Sequence, residues 1–243
     1  MRGNPGGSGL LLAARFQELS RSLETFRILF DEPMHGHSNS TFLTLELVSM
    51  HLHVSLEDVQ LFAGLEGEEE AARVYPSLCD WMKTPTSRQA MWHAGQAVRA
   101  AKAMASHHLD AFQSIAVYHT SLALWAYGVI LNANGISYDD TIMAYSDPVF
   151  ATSELPVWLD GIDTVATQRF IALNRGMPAL QSLQESQPPA LIHDPAAILE
   201  VIIDVLLCNP MSSEQLKPYR QPVVENLVQL VYGLRDATRK AGV

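Results

Sequence analysis

"FQSIAVYHTSLALWAYGVIL", Phe112 to Leu131, holds no charged residue, and none occurs between Asp110 and Asp139. By length it suits a bilayer crossing. Gln113, Ser114, His119, Thr120 and Ser121 fill its first half, however, and the pattern reads as a helix buried on nearly all sides of a globular protein. Asp110, three residues before Gln113, has the spacing of a capping box at its start. Within it His119 falls among Phe112, Ile115, Leu122 and Ala126, while Tyr118, Leu122 and Trp125 form an adjoining stripe.

The segment before it, "MWHAGQAVRAAKAM" (Met91 to Met104), belongs to a long helix opened by Thr84 as N-cap and Pro85 at the first helical position. Projected at about 100° per residue, Ala90, Ala94, Ala97, Ala101 and Met104 share one arc, with His93 and Ala100 at its border. That arc suits close packing. Trp92, Gln96 and Arg99 lie on the far side, so a second layer must cover the indole. The two segments are expected to be the buried central pair of an all-α, multi-helix bundle.

Outward from this pair the apolar residues recur at helical spacing, and no run alternates with period two. Residues 1–9 read as a flexible tail and 10–243 as a single all-helical domain. Leu12, Phe16, Leu19, Leu23, Phe26 and Phe30 step along one seam of a helix ending before Pro33, and the loop "DEPMHGHSNS" follows. Ser55 and Asp58 are spaced to cap a short helix that Gly64 ends. Glu68, Glu69 and Glu70 suit the positive end of the next helix. "NANGISYDD" reads as a turn, and a helix is expected from near Leu155 to Leu173. "QESQPPALIHDP" connects to an apolar helix opened by Asp194 and Pro195 and stopped by Asn209 and Pro210, with Glu200 and Asp204 on its wet side. The last helix carries Val223, Leu227, Leu230 and Leu234 on one stripe, and Arg235, Arg239 and Lys240 near its C-terminal end, where cations suit the dipole.

Among 243 residues, 26 acidic and 16 basic ones give a net charge of −10. A nucleic-acid binder needs a basic stripe to displace counterions, so direct DNA binding is not expected of this chain. Cys79 and Cys208, far apart, offer neither a zinc motif nor a disulfide framework. A reducing, intracellular location and no membrane association are expected.

Three readings of the histidines stay open. His93 and His119 are buried, hydrogen-bonded residues that fix helix register; or Trp92, His93, Gln96, Tyr118, His119 and Trp125 line a ligand pocket between helices; or His93 or His119 acts as a general base with Tyr118 or Asp110 as partner. No metal site and no cofactor are expected. His51 and His53, like His107 and His108, diverge if helical, and His35 with His37 lies in a loop. Nucleophile motifs, paired-carboxylate signatures and phosphate-binding glycine loops are absent.

"HLHVSLEDVQLFAGLEGEEEAARVYPSL", "MWHAGQAVRAAKAM" and "AVYHTSLALWAYGVI", in that order, resemble the C-terminal half of the regulatory region of fungal-specific transcription factors, of the type found downstream of zinc fingers. The Trp92-His93-Ala94-Gly95-Gln96 phrase and the run from Tyr118-His119 to Tyr127-Gly128 carry the likeness, which spans Leu10 to Leu234 and is weakest from Asn132 to Pro195. The resemblance implies an all-helical regulatory module, the middle homology region, that controls an upstream zinc-dependent DNA-binding domain and in some members senses a metabolite. No zinc cluster or finger can be drawn here, and the upstream half of the region is missing, so the DNA-binding role does not carry over.

Two function classes follow. One is a regulatory, ligand-sensing module with a small-molecule ligand, a protein partner or a second copy of itself, nuclear in location. The other is a stand-alone, cytoplasmic small-molecule-binding protein or pocket enzyme of fungal secondary metabolism, for example a cyclase. The exposed sides of the first and last helices are the surfaces on which a homodimer would form.

Overall fold

The computed structural model describes residues 5–30, 38–104, 109–135, 156–184, 187–207 and 221–242. His35, His37, His107, His108, Cys208 and the helix stop at Asn209 and Pro210 lie outside them, as do most of the "DEPMHGHSNS" loop and the end of "NANGISYDD". Helices dominate: α1 (Pro5–Phe30), α2 (Asn39–His53), α3 (Leu56–Phe62), α4 (Glu68–Met82), α5 (Pro85–Ala103), α6 (Ala111–Ala133), α7 (Val165–Leu173), α8 (Pro195–Leu207) and α9 (Pro222–Ala241). Helix α1 thus begins inside the stretch expected as tail.

Local chemistry sets the helix starts. Ser55, Thr84 and Thr164 each accept a hydrogen bond from the backbone N–H three residues on, and Asp194 does the same for Ala197. Asp110 and Gln113 form a complete capping box, with Gln113 N–H donating to Asp110 at 2.7 Å and Asp110 N–H to Gln113 at 3.0 Å. Gly64, at φ +95°, follows α3 in the left-handed region.

The centre is the α5–α6 pair. Ala90, Ala94, Ala97 and Ala101 are fully buried, as are Ala116, Val117, Leu122, Leu124 and Ile130. Helix α2 packs along α5, whereas α8 packs on α6 and α9 covers both. Helix α6 is long and apolar enough to cross a membrane, but most of it is buried inside the protein, as befits a core helix.

The sequence reading missed a small sheet. A helix expected from Leu155 begins only at Val165; the chain before it forms β1 (Pro156–Trp158), which pairs in parallel with β2 (Met177–Leu180), and β2 pairs antiparallel with β3 (Ala190–Leu191) inside the expected proline-bearing connection. Strands this short show no period-two pattern, and Pro178 in the middle strand argues against a strand. The pairing holds because Pro178 contributes only its carbonyl, which accepts from Ile192 N–H at 2.9 Å.

Two seams also differ. On α1, Leu12, Phe16, Leu19 and Phe26 are exposed and Leu23 is half-buried, because α1 packs chiefly on α2, while the Phe30 side chain lies outside those described. On α9 the buried stripe runs Val224, Leu227, Val228, Val231 and Thr238, one step round from the expected one, and leaves Leu230 exposed.

Candidate functional site

The six residues singled out as a pocket serve several places. Gln96 is fully buried, and its amide donates to the backbone carbonyls of Leu159 at 2.7 Å and Gly161 at 2.8 Å. Beside it, a Cβ added to Gly95 would lie 2.4 Å from Leu159 backbone atoms, and one added to Gly128 would lie 2.3 Å from the Ile192 carbonyl oxygen. The glycines of the two quoted phrases are therefore where the sheet's ends rest on α5 and α6. Asp160 completes this anchor: Lys102 Nζ lies 2.6 Å from its Oδ2, and Gln181 N–H donates to the same carboxylate.

Trp125 is buried, donates through Nε1 to Thr238 Oγ1 at 2.8 Å and packs against Phe62. It ties α6 to α9. Trp92 is buried under the Arg27 guanidinium, which lies 5.9 Å above its ring, so α1 supplies the second layer the indole required. Tyr118 and His119 are half-buried on α6. His119 meets His51 of α2 at a ring distance of 5.4 Å, and burial, helped by His51, lowers its pKa; burial raises that of the Tyr118 phenol.

Of the six, His93 lines a groove among the described residues. The groove, of about 500 Å³, runs between α1, α2 and α5, walled by Phe16, Leu23 and Leu52 together with the polar Gln17, Ser20 and Gln89, and Ser49, His53 and His93 also line it. Beneath it the Glu46 carboxylate, with no exposed surface, accepts from Arg27 Nε at 3.0 Å and lies 2.7 Å from His93 Nδ1. His53 stacks on His93, rings 5.6 Å apart and 1° from parallel, and Phe16 meets it edge-on. Burial and the neighbouring His93 push His53 down to about 4, so its ring is neutral at neutral pH.

No family model, curated protein or solved structure matches the chain.

The expected divergence of His51 and His53 is present: one faces His119, the other His93. Among the described residues no group of three or more His, Cys, Asp or Glu side chains converges as a metal site. Sequence reasoning missed Arg27, Glu46 and His53 as members of one cluster. A signal existed for Glu46, the sole Asp, Glu, Lys or Arg between Glu32 and Glu57. A lone carboxylate flanked by Leu45 and Leu47 is a charge that needs a buried partner. Chemically the cluster can hold the His93 imidazole in one orientation at the foot of a cleft lined by both polar and apolar side chains.

Proposed function

We propose that this chain is a regulatory, ligand-sensing module of the kind that its resemblance to fungal-specific transcription factors implies. Its input is a small molecule seated between α1, α2 and α5. The observation that carries this reading is the buried Glu46 carboxylate shared by Arg27 of α1 and His93 of α5 beneath an open groove. A ligand there touches α1 and the central helix together. Among the described residues α1 packs chiefly on α2, so occupancy changes how firmly it is held, which is what a sensor transmits to a partner. The net charge of −10 fits a module that leaves nucleic-acid contact to another domain.

A second reading, a pocket enzyme such as a cyclase, draws support from one feature. A histidine oriented by a carboxylate through Nδ1 has the arrangement of a general base. Native mass spectrometry of the purified chain tests the first reading and separates the two. The sensing reading expects one small molecule to co-purify unchanged and to be lost from Ser49→Trp, which fills the groove. Ligand retained by the folded Ser49→Trp protein counts against the groove. Conversion of the released molecule on re-addition to fresh protein favours the enzyme.

A further inference from the structure

The floor of the groove presents two imidazole edges, and what lies behind each ring fixes its hydrogen-bond polarity. His93 Nδ1 lies 2.7 Å from Glu46 Oε2, and a carboxylate held by a guanidinium accepts rather than donates. A His93 ring with a single proton therefore carries it on Nδ1, which leaves a lone pair on Nε2. That Nε2 is not sealed: among the described residues the buried ring nitrogens without a partner are His51 Nε2, His53 Nδ1 and His119 Nδ1. His93 lines the groove, and with one proton on its ring Nε2 is left to offer the groove an acceptor.

His53 has the opposite polarity. Its Nδ1 is buried without a partner, and an orphaned buried N–H is rarer than an unfilled acceptor. The neutral ring thus leaves its lone pair inside and carries its proton on Nε2, toward the groove that it lines. Because the rings are stacked 5.6 Å apart, one acceptor and one donor stand side by side. The charge of Glu46 is already met by Arg27, and the rim carries both Arg21 and Glu24, so nothing here selects an ion of either sign.

We propose that the groove binds a neutral molecule bearing a hydroxyl and a carbonyl, the hydroxyl donating to His93 Nε2 and the carbonyl accepting from His53 Nε2–H. Phe16, Leu23 and Leu52 cover the apolar remainder. The proposal rests on the ligand-sensing reading and adds to it the chemistry of the ligand.

The test uses the full chain and four probes: 3-hydroxyacetophenone with both functions, acetophenone with the carbonyl alone, 3-ethylphenol with the hydroxyl alone, and 3-hydroxybenzoate as the anion. Long-range ¹H–¹⁵N NMR at pH 7.5 is expected to give a proton on Nδ1 of His93 and on Nε2 of His53. Titration is expected to give 3-hydroxyacetophenone an affinity about fivefold above either single-function probe, one net hydrogen bond each. His93→Asn keeps an N–H for Glu46 and loses the Nε2 position, its own amide oxygen lying on a shorter side chain, so it should erase the advantage over acetophenone. His53→Phe keeps the ring and should erase the advantage over 3-ethylphenol.

Reversed tautomers, equal affinity of the three neutral probes, or preference for 3-hydroxybenzoate would overturn the proposal. Equal affinities that vanish in Ser49→Trp leave the groove as a ligand site and defeat only this chemistry. Binding of no probe, with nothing co-purifying, defeats both readings. The tautomer measurement on the unmodified chain decides even where a variant fails to fold.

Discussion

Helix α5 meets the small sheet and the groove in contrasting ways. At the sheet, backbone lies against backbone: Gly95 admits Leu159, Gln96 caps two carbonyls, and the Lys102–Asp160 pair closes the edge. At the groove, side chains meet side chains around a single buried carboxylate, and a cleft lined by polar and apolar groups stays open above them. The first contact has no room for anything else. The second has room, and that difference marks the first contact as structural and makes the second the place proposed for binding, although the quoted phrases contribute to both.

The largest effect should come from forcing the sheet off its seats. Gly95→Val and Gly128→Val put a branched side chain where even a Cβ would lie 2.4 Å and 2.3 Å from backbone atoms. Each is expected to cost about 3 kcal/mol or more in urea unfolding, since backbone cannot yield as a flexible side chain does. Near-normal stability of either variant would show that the sheet does not rest there.

At the groove, Arg27→Met leaves the fully buried Glu46 with His93 as its remaining partner. Stability should fall by roughly 2–4 kcal/mol, because a buried charge stripped of a partner is costly. An unchanged melting temperature would mean that α1 is not tied down through this carboxylate.

Acid should weaken the fold through His53. Its pKa is depressed in the folded protein from 6.5 to about 4, so between those values the unfolded chain takes up a proton that the folded one refuses. Stability contributed by the neutral ring is therefore intact above about pH 6.5 and is lost as pH falls toward 4, by about 1–3 kcal/mol. His51 and His119, also lowered by burial, add in the same direction. Denaturant titrations across this window should show the slope, and His53→Phe should flatten it; an equally steep slope in that variant would remove His53 as the cause. The smallest effect is expected outside both regions, on the exposed seam of α1. There Leu12→Gln and Leu19→Gln should change stability by no more than about 0.5 kcal/mol, and a large loss in either would mean that the seam is covered.

Much of the architecture was legible because it rests on local rules. The uncharged run of α6, the alanine arc of α5 and the caps at Ser55, Thr84, Asp110 and Asp194 all follow from spacing within a few residues. The sheet was not legible, because Pro156–Trp158, Met177–Leu180 and Ala190–Leu191 are held by pairing and by seats on distant helices rather than by their own pattern. The candidate site was half legible. His93 was singled out, but its partners come from α1 and α2, which brings Arg27, Glu46 and His53 together across sequence gaps that periodicity does not read. Gln96 and Trp125 looked like ligand-facing polar groups because a sequence does not reveal whether a buried donor meets a ligand or another group of the protein, here two backbone carbonyls and the Thr238 hydroxyl.

The most direct test sets Gln96 against His93 in one experiment, measuring both the melting temperature and the affinity for 3-hydroxyacetophenone of Gln96→Leu and His93→Asn. The account predicts that Gln96→Leu lowers the melting temperature by several degrees, leaving two buried carbonyls unpaired, and binds the probe normally below its transition. His93→Asn should melt nearly as the parent does and bind about fivefold more weakly. The opposite pattern, with binding lost at Gln96 and kept at His93, would contradict it.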